Sequence, residues 1–115
     1  MKARLNYLEL TSADMARSRT FYAGAFGWEF TDFGPEYSAT ITDDTAVGLT
    51  TESDLDSAPM LPVIEVEGLD KVAEALTAQG GIIVKPIFDF PGGRRFHFRD
   101  PAGHILGVWE RAAYE

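Results

Sequence analysis

The sequence predicts an α+β fold made of two βαβββ modules whose strands curve around a cavity. Two observations predict it. The same order of elements, namely one strand, one helix and three further strands, can be followed twice along the 115 residues. Turn and cap residues, chiefly glycine, proline and aspartate, mark the boundaries between these elements. One such module cannot bury its sheet alone, so we expect the two to pack together as a single domain covering residues 1–115.

Module one is predicted over residues 4–51. Its opening stretch alternates apolar and polar residues, which is typical of a half-buried strand. Asp14 is a typical N-cap for a helix over Met15–Phe26, and Gly27 is the left-handed residue expected at its end. Strands are predicted over residues 4–10, 28–33, 37–42 and 46–51.

Module two is predicted over residues 60–111, after an acidic, turn-rich linker at residues 52–59. It contains a short amphipathic helix from Leu69 to Leu76. It ends in a hairpin that turns at Asp100-Pro101-Ala102-Gly103. Strands are predicted over residues 61–67 and 82–84, and in the two arms of the hairpin. A weak internal repeat relates Leu8-Glu9-Leu10 and Asp14 to Ile64-Glu65-Val66 and Asp70.

Composition excludes several classes of function. The formal net charge of −8 argues against a nucleic-acid partner and against an anionic membrane surface. The absence of cysteine excludes disulfides, thiolate metal sites and cysteine nucleophiles. Residues 1–4 lead directly into a strand pattern with no signal-peptide core, so we expect a cytoplasmic location.

Several motifs together resemble the vicinal oxygen chelate superfamily of glyoxalases, bleomycin-resistance proteins, extradiol dioxygenases and fosfomycin-resistance enzymes. The resemblance extends over nearly the whole chain and implies the paired-βαβββ fold, a small-molecule ligand and a homodimer. It does not imply one reaction, because this scaffold supports isomerases, dioxygenases, transferases and pure binding proteins. The motifs are Asp14, Phe21-Tyr22 and Phe26-Gly27-Trp28 in module one, and Gly80-Gly81 and Phe98-Arg99-Asp100-Pro101-Ala102-Gly103-His104 in module two.

The resemblance also implies four positions at which metal-dependent members carry His, Glu or Gln. No residue at these positions is a usual ligand for a divalent ion. We therefore predict no metal and no other cofactor, with the glycines leaving room for a ligand. The positions are Tyr7, Gly48, Gly107 and either Leu61 or, by the repeat offset, Val63.

Arg95 and His97 share a strand face, while Phe96 and Phe98 take the opposite, core side. By resemblance to the fosfomycin-resistance enzymes, Arg95 and His97 look into the cavity. They form either an anion-binding arginine beside a titratable histidine, or a rim arginine paired to a carboxylate with the histidine in a polar niche.

Glu9 and Glu65 occupy repeat-related positions. If they share a cavity, burial and repulsion raise the pKa of at least one, which suits a general base or a cation-binding group. The alternative is that both pair with Arg95 or Arg99 at the cavity mouth. The predicted ligand-binding residues, aromatic side chains suited to stacking among them, are Tyr7, Glu9, Tyr37, Val63, Glu65, Arg95, His97 and Trp109.

Two functions remain open. The favoured one is a metal-free binding protein for an aromatic or partly cationic small molecule. The alternative is a metal-independent lyase or isomerase that uses His97, Glu9 or Glu65 as acid and base. A divalent-metal glyoxalase or dioxygenase is disfavoured by the four ligand positions.

Overall fold

The structure, a computed structural model, describes residues 2–42, 44–51 and 59–112. It has the predicted βαβββ-βαβββ order of elements, in two compact units. The first unit comprises residues 7–61, and the second comprises residues 1–6 together with residues 62–115. Of the predicted linker 52–59, all residues but Pro59 lie outside the described part. The elements are β1 (Ala3–Thr11), α1 (Met15–Phe26), β2 (Phe30–Asp32), β3 (Tyr37–Thr40), β4 (Ala46–Thr50), β5 (Met60–Val66), α2 (Leu69–Ala78), β6 (Ile82–Phe90), β7 (Gly93–Arg99) and β8 (Ile105–Arg111).

In the first unit the strands lie in the order β2-β3-β4-β1. β1 and β4 are parallel, and the other neighbours are antiparallel. Asp14 caps α1 by accepting the Arg17 amide at 3.1 Å, and Gly27 ends the helix with φ 72°, as predicted. None of the α1 residues, all of which are described, is buried. The buried apolar side chains of β3 and β4 are Ala39, Val47 and Leu49.

In the second unit the strands lie in the order β5-β8-β7-β6. β5 and β8 are parallel, and the β8-β7 and β7-β6 neighbours are antiparallel. Helix α2 covers one face of this sheet, where Leu69 and Phe96 are completely buried. Val72, Ala73 and Leu76 of the helix pack against the same cluster, which also contains Val66, Phe98 and Val108.

Strand β6 is longer than the sequence predicts. The prediction ends it before Pro86, whereas the strand continues to Phe90. Pro86 is tolerated because β6 lies at the end of the β5-β8-β7-β6 order, where one side of a strand needs no ladder partner. Its pairing with β7 shifts register between Ile83 and Lys85 and again between Lys85 and Phe88.

We find no helix in the described ranges with the length and apolar character needed to cross a membrane.

Candidate functional site

One face of the second unit's sheet, opposite to α2, carries most of the candidate residues. The strand register aligns Glu65, Trp109 and Arg95 in one row across β5, β8 and β7, and Phe88 of β6 extends that row. A second row aligns Val63, Gly107, His97 and Lys85. Phe96 and Phe98 lie on the α2 side, as predicted. We call this surface the Arg95 face.

Two phenylalanine rings lie beside the Arg95 guanidinium on this face. Its Cζ atom lies 5.4 Å from the Phe88 ring centroid and 5.8 Å from that of Phe90. Phe90 in turn contacts Trp109 edge to face at 6.1 Å. Lys85 Nζ lies 4.6 Å from the centre of the Phe88 ring. Each cation-ring pair is attractive because the ring face carries negative electrostatic potential. The face therefore combines flat apolar surfaces with two positive charges.

His97 is almost completely buried, with 2% of its surface exposed. Its Nε2 atom accepts a hydrogen bond from Arg95 Nε at 3.2 Å, and its ring meets Phe88 edge to face at 5.8 Å. An accepting Nε2 carries no proton, so the ring acts here as an acceptor that orients the guanidinium. The histidine therefore occupies a buried polar niche and contacts the arginine, and the two predicted alternatives for Arg95 stay predictions.

Glu65 lies at the other end of the same row. Its carboxylate accepts hydrogen bonds from Asn6 Nδ2 at 2.8 Å and from Arg111 Nε and NH2 at 3.2 and 3.1 Å. Burial tends to raise the pKa of Glu65, but the Arg111 and Asn6 hydrogen bonds and the charges of Arg111 and Arg4 outweigh it. The pKa of Glu65 is therefore lowered. This is opposite to the shift that would suit a general base, and the cationic partner is Arg111, not Arg95 or Arg99.

The first unit brings three other candidates together. Tyr37 OH donates a hydrogen bond to Glu9 Oε2 at 3.3 Å, and the Tyr7 and Tyr37 hydroxyls are hydrogen-bonded to each other. All three side chains are partly buried. Tyr7, Tyr37 and Glu9 form what we call the tyrosine chain.

Gly48 explains how the two tyrosines meet. It lies on β4, between β3, which carries Tyr37, and β1, which carries Tyr7. A Cβ at position 48 would lie 2.5 Å from the Tyr37 hydroxyl, 2.8 Å from Tyr7 Cζ and closer still to the Tyr7 hydroxyl. The space above Gly48 is therefore filled by the tyrosine hydroxyls. The prediction that this glycine leaves room for a ligand is wrong at position 48.

The residues present do not fit a divalent metal. Gly48 pairs with Glu9 and Gly107 pairs with Val63, so matching the two glycines makes Leu61 the counterpart of Tyr7. Leu61 and Val63 are both buried and apolar, so neither could serve as the metal ligand at this third position. Within residues 2–42, 44–51 and 59–112, no group of three or more His, Cys, Asp or Glu could hold a metal ion. The tyrosine chain offers one carboxylate at most.

Sequence reasoning missed several residues of the Arg95 face. Phe88 and Phe90 were missed because β6 was ended before Pro86, although the alternation Phe88-Asp89-Phe90 was a usable signal. Arg111 is the partner of Glu65, and Asn6 joins Glu65 to Trp109, whose Nε1 donates to Asn6 Oδ1 at 3.3 Å. No local pattern marks these two contacts, which depend on strands distant in sequence.

A cavity of about 510 Å³ lies at the β6-β7 turn end of the second unit. Phe90 and Arg111 of the Arg95 face line it, together with residues 93–94, Glu110 and Ala112.

Comparison with known proteins gives the family. The sequence profile of the Glyoxalase/Bleomycin resistance protein/Dioxygenase superfamily matches residues 4–108, which is most of the chain. The chain belongs to this superfamily. A structure of a superfamily member from Vibrio splendidus has a TM-score of 0.69 at 14% identity, covering 95% of this chain and 97% of that one. That likeness confirms the paired-βαβββ fold.

Two curated relatives add names within the superfamily. The anthracycline biosynthesis protein DnrV of Streptomyces peucetius is 30% identical over 130 residues, covering 95% of this chain and 47% of that protein. The CFP32 protein of Mycobacterium bovis is 28% identical over 116 residues, and its name assigns it provisionally to the glyoxylases. The match covers 91% of this chain and 44% of that protein. The chain thus spans less than half the length of these relatives.

Proposed function

We propose that this chain binds a planar aromatic small molecule on the Arg95 face without a metal ion. The observation that carries the proposal is the Arg95 guanidinium beside the Phe88 and Phe90 rings, with Trp109 in contact with Phe90. Flat rings offer stacking surface at low entropic cost, and a guanidinium adds a fixed donor for an oxygen of the ligand. The partly cationic character of the ligand predicted from sequence stays a prediction.

The relatives support an aromatic ligand. DnrV is named for anthracycline biosynthesis, and anthracyclines contain fused aromatic rings bearing oxygen substituents. The acid-base alternative has less support on this face. The lowered pKa of Glu65 makes it a weak base, and His97 Nε2 is already engaged with Arg95.

The probe that tests this proposal is anthraquinone-2-carboxylate, with neutral anthraquinone-2-carboxamide as its partner. In isothermal titration of the purified chain in EDTA, we expect saturable binding of both, with the carboxylate bound more tightly. Arg95→Gln should weaken carboxylate binding about tenfold, or about 1.4 kcal/mol, and change carboxamide binding much less.

Arg99→Gln is the matched control, because Arg99 lies at the exposed end of the same strand and its loss removes the same charge. Binding of neither probe would contradict the proposed function. Equal losses in Arg95→Gln and Arg99→Gln would show that general charge, and not this site, attracts the ligand.

A further inference from the structure

We propose that Glu65 is a positioning residue that fixes the Trp109 indole as a stacking surface for the aromatic ligand of the Arg95 face. Glu65 and Trp109 are register partners on β5 and β8. Glu65 acts through Asn6 and Arg111, which contact the indole at its edge and over its ring. The inference rests on the proposed function for its ligand, while the contacts among the four side chains can be tested without one.

The contact through Asn6 fixes the edge of the indole. An asparagine amide has an acceptor oxygen and a donor nitrogen, and either can be turned toward a neighbour. An ionised carboxylate only accepts, so the bond from Asn6 Nδ2 to Glu65 Oε1 at 2.8 Å determines which way the amide points. The Asn6 oxygen is consequently turned toward the indole and accepts from Trp109 Nε1 at 3.3 Å.

The contact through Arg111 acts on the ring of the indole. Arg111 Cζ lies 5.0 Å from the centre of the Trp109 ring, a distance at which the cation and the ring attract each other. The Arg111 side chain is 61% exposed, whereas that of Glu65 is 22% exposed. Two parallel hydrogen bonds join the guanidinium to the Glu65 carboxylate, which restricts the directions the arginine can take.

The same contacts determine what Trp109 offers to a ligand. An indole has a single polar group, its N–H, and Asn6 accepts that hydrogen. What Trp109 presents is ring surface, and the side chain is only partly buried. This surface suits an aromatic ring without a polar substituent at that point. Because the indole is held before the ligand arrives, binding does not carry the entropic cost of ordering it.

Hydrogen exchange of the Trp109 indole N–H tests the positioning role without a ligand. The chain has two tryptophans, and Trp109→Phe identifies the Trp109 signal in ¹H–¹⁵N NMR spectra. In Glu65→Gln we expect this hydrogen to exchange with water about tenfold faster. The reason is that glutamine can turn either an oxygen or an amino group toward Asn6, so the Asn6 amide loses its fixed direction.

Glu67→Gln is the matched control, because Glu67 is exposed, follows β5 directly and removes the same charge. It should leave the indole exchange rate unchanged. Asn6→Ala should speed exchange by about the same factor as Glu65→Gln. The double variant should exchange little faster than either single one, because both changes act on one amide. Variants are compared only after their ¹H–¹⁵N spectra show a folded protein.

Isothermal titration with the two anthraquinone probes tests the role toward the ligand. We expect Glu65→Gln to weaken binding of the carboxylate and of the carboxamide alike, by about fivefold, since both probes use the same ring surface. Loss of a negative charge acting alone would tighten carboxylate binding and leave carboxamide binding unchanged. A parallel loss therefore separates positioning from general electrostatics, and it differs from the unequal losses expected for Arg95→Gln.

The failure of this inference is distinguishable from the failure of the proposed function. An indole exchange rate that is unchanged in Glu65→Gln would overturn the inference, even where wild type binds both probes. Full additivity of Glu65→Gln and Asn6→Ala would do the same, and so would tighter carboxylate binding beside unchanged carboxamide binding in Glu65→Gln. Binding of neither probe by wild type would instead overturn the proposed function, and the role of Glu65 toward a ligand with it.

Discussion

Gly48 and Gly107 occupy matching places, each paired in register with a residue of a neighbouring parallel strand. Gly48 lies beneath two tyrosine hydroxyls, and Gly107 pairs in register with Val63 and His97. The sequence analysis treated both as vacated ligand positions with room for a ligand. The hydroxyls over Gly48 come from residues on the two neighbouring strands, which the pattern of one strand does not reveal.

Gly48→Ala should destabilise the protein by about 1–3 kcal/mol, because the added Cβ forces the Tyr7 and Tyr37 hydroxyls apart in a packed site. Urea unfolding measures the change. Gly24→Ala is the control, since a Cβ there meets nothing within 4 Å and alanine favours a helix interior. Adding Tyr37→Phe should restore part of the loss in Gly48→Ala. An unchanged midpoint in Gly48→Ala would contradict the steric argument.

The candidate side chains themselves were predictable one at a time. Alternation alone placed Arg95 and His97 together, opposite Phe96 and Phe98. What the sequence did not predict was pairing between distant strands, such as the contact of Glu65 with Arg111 or of Tyr7 with Tyr37. Those contacts depend on strand order and register, which are properties of the folded unit.

Among the elements, the two helices begin in different ways. Asp14 caps α1 from its own chain segment, whereas the repeat-related Asp70 lies in the first turn of α2. Instead α2 begins after Gly68, at φ 75°, with no side-chain bond from its own cap residue. Glu110 of β8 supplies the acceptor. Its Oε1 atom accepts a hydrogen bond from the Leu69 amide at 3.0 Å, and its Oε2 atom pairs with Arg94 at 2.7 Å. A cap provided by a distant strand couples the helix to the sheet.

Glu110→Gln should lower the free energy of unfolding at neutral pH by about 1 kcal/mol, because glutamine keeps an acceptor for the Leu69 amide but loses the charge that strengthens this bond and the pair with Arg94. The Leu69 amide and the Arg94 side chain lower the pKa of Glu110 in the folded state below its ordinary 4.5. The stabilisation is therefore complete above pH 4.5 and is lost as the pH falls through the lower folded value. The difference in the free energy of unfolding between wild type and Glu110→Gln, measured by urea unfolding, should therefore become smaller in acid.

Glu74→Gln is the matched control for this experiment. Glu74 is an exposed carboxylate on the same helix, and its replacement should leave stability nearly unchanged at every pH. A wild-type-to-Glu110→Gln gap that stays constant into acid would show that the charge on Glu110 contributes nothing to the cap.

For the molecule as a whole, the order of strands and helices was predicted correctly, and the ends of α1 were predicted to the residue. The reason is that caps, turns and alternation are local signals. Strand β6 is the exception, since its bulges and Pro86 break the local pattern while tertiary pairing maintains the strand. The homodimer, the cytoplasmic location and the linker at residues 52–59 stay predictions.

Metal content is the property of the whole chain that divides the possible functions most sharply. After incubation with nickel, zinc, iron and manganese salts followed by dialysis, we expect far less than one metal ion per chain by elemental analysis. The physical reason is the donor set, because Gly48, Leu61 or Val63, and Gly107 offer no side-chain ligand. Stoichiometric retention of any of the four metals would contradict the metal-free proposal.

Strand β6 has a further consequence for how the protein behaves at high concentration. An edge strand with an unbroken row of unpaired amides and carbonyls can pair with a strand of another molecule. Such pairing is the first step toward fibrils. Pro86 removes one of those amides, and the two register shifts in the pairing of β6 with β7 interrupt the regular spacing of the rest. The same irregularities that hid β6 in the sequence therefore protect the second unit from edge-to-edge aggregation.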